Sequence, residues 1–251
     1  MRIDFVTIFP RMFDPLLAEG VIARGIKQNL LEVKAWDLRD YASDRHRSTD
    51  DEAYGGGPGM VMLAEPVLRC VESLRVAGRG SASPTLAPHI ILTSPQGRAF
   101  TQDVAKELSS HEWLVFLCGR YEGFDERIRE TLQPDEISVG DFVVSGGELP
   151  AMLMADAVGR MIEGVVGNSG SVAEDSFFNG LLDYPHYTRP LELRGMRVPD
   201  ILLSGHHENI RKWRKEQALR RTRELRPDLL EKADLDDEAQ EILRRLENET
   251  P

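Results

Sequence analysis

Val139-Gly-Asp-Phe-Val-Val-Ser-Gly-Gly-Glu-Leu-Pro150 places three glycines, a proline and two acids between an apolar run and an apolar helical pattern. Few segments restrict a fold more. Glycine has no Cβ and tolerates positive φ, so a backbone this bare can approach another chain segment or a ligand closely. Proline suits the first turn of the helix expected over Pro150–Ile162. The pattern reads as a ligand loop joining a strand to a helix, with the ligand unnamed.

The surrounding chain alternates. Ile3–Phe9 and Val33–Trp36 read as strands, and Met12–Asn29 between them as a helix. Arg39–Gly59 is polar, charged and glycine-rich, and reads as a long irregular loop. Glu65–Ala77 is an amphipathic helix, and Gly78–Pro88 a Gly/Ser/Pro-rich mobile stretch. Strands then follow at His89–Thr93, Trp113–Cys118 and Glu136–Val139, with a short one at Phe142–Val144. The helices among them are Thr101–Ser109 and Phe124–Leu132. Strands separated by helices imply a parallel sheet covered on both faces. Ligands of such sheets gather at the carboxyl ends of the strands. Three glycine-bearing loops fall at those ends, Ser94–Gly97, Gly119–Gly123 and Gly140–Gly147, which predicts one shared pocket.

Beyond this α/β part, Val165–Asp175 is small and polar and reads as a flexible linker. Ile210–Leu225 and Asp236–Leu246 read as helices. The expected organisation is a domain over residues 1–164, a linker over 165–175 and a small, mainly helical domain over 176–251.

A formal net charge of −11 argues against a non-specific nucleic-acid coat. The distribution is uneven. Eight Lys or Arg stand against two acids from Arg211 to Arg226, and the tail from Asp228 to Glu249 reverses the sign. Such a helix is usually a solvated face. Arg211, Arg214 and Arg220 around Trp213 also fit RNA, by phosphate pairing and base stacking. Apolar runs are too short to span a bilayer and the N-terminus lacks a signal-type apolar region, so the expected place is the cytoplasm. Cys70 and Cys118 have no disulfide or metal-ligand spacing and read as buried thiols.

Other motifs keep two readings. Tyr54-Gly-Gly-Gly-Pro-Gly-Met60 lacks the Gly-Lys-Ser/Thr of a phosphate loop and reads as a turn, though Arg45-His46-Arg47 nearby is a small basic cluster fit for RNA. Asp175 reads as a helix N-cap, Arg160 as a solvated arginine on its helix. Asp183 and His186 fit a cap or turn as well as an RNA-facing role. His206-His207 has no third ligand at a suitable spacing, so no metal site is expected.

Four strings in this order and spacing resemble bacterial tRNA (guanine-N(1)-)-methyltransferases of the TrmD type: Tyr54–Met60, Cys118-Gly-Arg-Tyr-Glu-Gly-Phe-Asp-Glu-Arg127, Val139–Pro150, and Gly180-Leu-Leu-Asp-Tyr-Pro-His-Tyr-Thr-Arg-Pro190. The resemblance runs from the first residues to about Leu230. It implies a SPOUT-type parallel sheet with a deep trefoil knot, a homodimer with active sites between subunits, and methylation by S-adenosylmethionine of N1 of the guanosine immediately 3′ of the anticodon of tRNA. The matching cofactor positions are Pro95, Gly119, Tyr121, Glu122, Val139, Gly140, Asp141, Phe142, Val143, Val144, Gly146, Gly147 and Pro150. Val139 and Val144 replace the Ile and Leu frequent in relatives, a mild change of pocket shape. Asp175 matches the general base and Arg160 the cation that steadies guanine O6. Arg45, His46, Asp183, His186, Arg211, Arg214 and Arg220 are the expected RNA contacts. Magnesium accompanies the family as an optional ion, without an evident carboxylate cage here. The rival readings are a non-catalytic RNA- or DNA-binding regulator and a methyltransferase of this fold acting on rRNA or on ribose.

Overall fold

The computed structural model describes residues 1–78, 87–167 and 174–248. The chain divides into two compact units, Met1–Gly167 and Asn168–Pro251.

The first unit is built on a five-stranded, all-parallel sheet. Its strands are β1 (Arg2–Thr7), β2 (Glu32–Asp37), β5 (His89–Ala99), β6 (Trp113–Leu117) and β7 (Asp135–Ser138), in the order β2-β1-β6-β5-β7. Side chains alternate across a strand, so each strand feeds two cores. From β6, Leu114 and Phe116 face one way, with Ile3, Phe5, Ile91 and Ile137. They pack on α4 (Gln102–Ser109) through Val104, Ala105 and Leu108, and on α6 (Glu148–Met161) through Ala151, Met154, Ala155 and Val158. Trp113, Val115 and Leu117 face the other way. They meet Val67, Cys70, Val71 and Leu74 of α3 (Ala64–Gly78) and Ile128 of α5 (Glu126–Leu132). Burial of both faces is what all-parallel strands require. Local signals set the helix starts: Thr101 Oγ1 accepts from Val104 N–H at 3.3 Å, and Asp125 Oδ1 from Arg127 N–H at 2.9 Å.

Several elements differ from the sequence expectation. The helical pattern of Met12–Asn29 is broken into a 3-10 turn (Pro10–Phe13), α1 (Asp14–Ala18) and α2 (Gly20–Lys27), because Glu19 is extended and Gly20 takes φ +81°. The irregular stretch 39–59 holds a strand: β3 (Asp50–Glu52) pairs antiparallel with β4 (Met60–Met62). Phe142–Val144 forms no strand; Phe142 and Val143 are exposed, and among the described residues no strand pairs with them. Val165, expected to open the linker, is fully buried against Ile22 and Leu31, so the first unit continues to Gly167. Most of the expected linker, residues 168–173, lies outside the described residues, as do residues 79–86 of the expected mobile stretch.

The described residues of the second unit include a short hairpin, β8 (Glu192–Leu193) with β9 (Met196–Arg197), a 3-10 turn (Asp200–Leu203), and the helices α7 (His207–Leu225), α8 (Pro227–Leu230) and α9 (Asp237–Asn248). Leu219, Ala239, Ile242 and Leu246 form its core. The acidic tail returns to the basic helix. Arg211 pairs with Glu208 and Glu238, Lys215 with Asp236 and Glu238, and Arg245 with Glu216. Arg211 and Lys215 together hold the Glu238 carboxyl down at about 2.

Asp4, the acid inside β1, is buried. It accepts from Trp36 Nε1, Trp113 Nε1 and Arg2 Nε, each at 2.7 Å. Removing a buried carboxylate strands these donors, and breaking such a pair costs roughly 3–5 kcal/mol. Asp4→Ala is expected to lower the unfolding free energy by an amount of that order, read as a lower urea midpoint. A midpoint equal to that of the wild type would contradict the assignment.

Candidate functional site

Three loops leave the carboxyl ends of β5, β6 and β7 and enclose a cleft of about 220 Å³. The first is a bulge in β5. Its register with β7 runs to Thr93↔Ile137 and resumes at Arg98↔Ile137, so Ser94-Pro95-Gln96-Gly97 loops out between. At Gly97 the backbones touch: a Cβ there would lie 2.3 Å from the carbonyl carbon of Glu136. The second loop, Gly119–Gly123, is braced by β4: Glu122 N–H donates to Met60 O (3.0 Å) and Met62 N–H to Gly123 O (2.9 Å). The third is the glycine-rich segment 139–147.

The loops meet at Gly147. Its N–H donates to Gly119 O at 2.8 Å. A Cβ on it would fall 2.0 Å from Thr93 Oγ1 and 2.9 Å from the Gly119 nitrogen. Its φ is −76°, so space and not conformation demands glycine. Gly146 is just as confined, since its Cβ would lie 2.2 Å from Arg120 Nε.

The cleft is lined by every expected cofactor position but one: Pro95, Gly119, Tyr121, Glu122, Val139, Gly140, Phe142, Val143, Val144, Gly146, Gly147 and Pro150. Asp141 is not on its wall. Thr93, Ser94, Ser138 and Ser145 add hydroxyls that sequence reasoning did not single out. A wall of apolar side chains with bare backbone and a few hydroxyls suits a ligand carrying a flat base and a polar sugar. Also missed was a buried ion pair below the glycine loop, Arg120 Nε with Glu148 Oε2 at 2.9 Å. Both residues stand inside the quoted strings, and their only signal was a charge beside glycines. Cys118, next to them, is fully buried; burial first, and the Glu148 carboxylate second, push its thiol well above its ordinary range, as an inert thiol requires.

Arg160 lies half-buried in the last turn of α6, in the first unit. Asp175 lies half-buried in the second unit, in a turn closed by Phe178 N–H to Asp175 O at 3.2 Å. Asp183 and His186 form a local turn: Asp183 accepts from Tyr184 N–H and pairs with His186 Nε2, both at 2.7 Å. Arg214 stacks over Tyr184, 4.8 Å from its centroid. Burial and a hydrogen bond to Glu174 push that tyrosine up to about 12. Arg211 is ion-paired with the exposed Glu208 and the half-buried Glu238, and Arg220 with the half-buried Glu216, all of their own unit. Arg45 and His46 are exposed before β3. Among the described residues no group of three or more His, Cys, Asp or Glu is placed to hold a metal, and no helix is long and apolar enough to cross a membrane.

Fold and cleft together define an α/β protein with a cleft at the ends of parallel strands, where sheets of this kind receive ligands. The family described as tRNA (guanine-1)-methyltransferase TrmD matches residues 1–232, and the chain belongs to that family. Proteins named tRNA (guanine-N(1)-)-methyltransferase are similar over the full length. That of Desulforamulus reducens is 50% identical over 248 residues, 99% of this chain and 96% of its own. That of Geobacter sulfurreducens is 50% identical with 99% of both chains covered, and that of Moorella thermoacetica 50% with both covered completely.

Gly147→Ala is expected to lower stability by about 1–3 kcal/mol in urea unfolding, the usual cost of overpacking. Gly167→Ala is the control, since a Cβ there meets only the flexible end of Arg24 at 3.8 Å. Equal midpoints for the two variants would refute the contact at Gly147.

Proposed function

We propose that this protein transfers the methyl group of S-adenosylmethionine to N1 of the guanosine immediately 3′ of the anticodon of tRNA, a modification that supports the reading frame. The observation that carries the reading is the glycine-walled cleft at three strand ends in a chain belonging to the tRNA (guanine-1)-methyltransferase family. Pro95, Gly119, Tyr121, Glu122 and the segment 139–147 with Pro150 would hold the cofactor, which supplies an electrophilic methyl on a sulfonium.

Guanine N1 carries a proton and is a weak nucleophile until that proton leaves. Asp175 takes it as the N–C bond forms, the work of a general base. Once N1 has lost its proton, the bound cofactor would supply its methyl to the freed electron pair and would keep the carbon–sulfur pair on its own sulfur. Charge that builds on O6 is steadied by Arg160. Arg45, His46, Asp183, His186, Arg211, Arg214 and Arg220 contact the RNA in this reading. Magnesium stays an optional ion of the family, and no step is routed through it.

A trefoil knot is part of the proposal. It is supported by the course of the chain, which leaves edge strand β7, meets the Thr93 side chain of β5 and the Cys118–Gly119 backbone after β6 at Gly147, and enters α6 on the face opposite α5. So is a homodimer, supported by the exposed apolar side chains Phe142, Val143, Leu149 and Leu153 along the loop and α6. The first unit, Met1–Gly167, and the second would then divide the work between cofactor and RNA, in the cytoplasm where tRNA resides.

Asp175→Ala is expected to lower methyl transfer to tRNA by about 10²–10⁴-fold while S-adenosylhomocysteine binds as before. Transfer at the wild-type rate would remove Asp175 as the base. Arg160→Ala is expected to lower kcat by about 10²–10³-fold with a far smaller change in cofactor affinity. Equal losses in rate and affinity would make Arg160 a cofactor-binding residue instead.

A further inference from the structure

Arg120 and Glu148 form the most enclosed ion pair at the cleft, with Glu148 fully buried and Arg120 nearly so. Glu148 is the first residue of α6, and its other oxygen accepts from Thr7 Oγ1 at 2.8 Å. Each nitrogen of the guanidinium is committed to the protein. Nε goes to Glu148, Nη1 to the carbonyl of Ser145 at 3.0 Å, and Nη2 to Met12 Sδ at 3.2 Å. The cation lies over Phe9, 4.6 Å from the ring centroid. Three of its five N–H donors, one on each nitrogen, are thus held by the protein, although Arg120 stands on the cleft wall.

A buried ion pair is weak evidence for stability, because desolvation offsets most of its attraction; fixing one conformation is its better-attested use. Here the conformation in question is that of the glycine loop. Segment 140–147 carries two confined glycines and the exposed Phe142 and Val143, so little apolar burial holds it down. Ser138 Oγ holds Gly140 at its start, and its anchors to the loop after β6 are the Gly147 N–H to Gly119 O and the Ser145 carbonyl to Arg120. Arg120 belongs to the loop after β6 and Ser145 to the loop after β7, so a single side chain ties two walls of the cleft together and to the start of α6.

We propose that Arg120 is a positioning residue for the methyl-transfer reaction: locked by Glu148, it holds the Ser145 carbonyl and so keeps the 140–147 loop in the shape that receives the cofactor. The inference rests on the methyltransferase reading above. A lysine at this position keeps the charge for Glu148 but lacks the planar fork needed to reach Glu148 and Ser145 together. If the loop then spends about a tenth of its time in the receptive shape, apparent cofactor affinity falls by about tenfold.

The test compares wild type with Arg120→Lys in three measurements: S-adenosylhomocysteine binding by calorimetry, hydrogen exchange of the peptide covering residues 140–147 without ligand, and methyl transfer with the cofactor varied. The expected result is faster exchange in that peptide alone, a Kd raised about tenfold, and a KM for cofactor raised likewise with kcat at saturation changed far less. Unchanged exchange and Kd would overturn the positioning role. Should Arg120→Lys fail to fold, Glu148→Gln carries the same test, since the amide keeps the Thr7 contact and unlocks Arg120; unchanged exchange and Kd there overturn it equally. Failure of the wild type itself to bind S-adenosylhomocysteine would count against the cofactor reading, whereas wild-type binding with an indifferent Arg120→Lys counts against the positioning role alone.

Discussion

Backbone contact at Gly147 is the constraint on which the cleft depends. Thr93 of β5 and the Cys118–Gly119 backbone after β6 meet there, and only a residue without a side chain leaves room between them. Once the contact is made, the rest follows from geometry. The end of segment 139–147 is held against them, and α6 must begin at Glu148 with its carboxylate among buried groups. That carboxylate then requires a cation, which Arg120 provides from the neighbouring loop.

The sheet supplies rigidity where the loops need support. Each of its two faces is buried under helices, so the strand ends hold position while the loops carry the chemistry. Asp4 performs a related task at the other side of β1, joining Trp36 of β2 and Trp113 of β6 to the strand between them. The second unit works differently. Its core is small, and ion pairs join the basic helix α7 to the acidic segment after it. Those pairs are partly exposed, so salt screens them.

Much of this was legible in the sequence, for identifiable reasons. Alternating apolar runs and helical patterns marked the five parallel strands, and glycines at the ends of three of them marked the cleft. What was not legible depended on partners distant in the chain. Asp50-Asp51-Glu52 is too charged to read as a strand until Met60–Met62 lies beside it. Phe142-Val143-Val144 has strand composition but no neighbouring strand, so it stays a loop. The break at Glu19-Gly20 was hidden because apolar spacing persists across it and a single glycine costs a helix only about 1 kcal/mol. Arg120 and Glu148 lie 28 positions apart, and nothing local announces their meeting.

The most direct measurement is transfer of labelled methyl from S-adenosylmethionine to two transcripts of one tRNA, with guanosine or adenosine immediately 3′ of the anticodon. The account predicts label in the guanosine transcript alone, recovered as 1-methylguanosine at that nucleotide. Equal label in both transcripts, or none in either while the cofactor still binds, would contradict it.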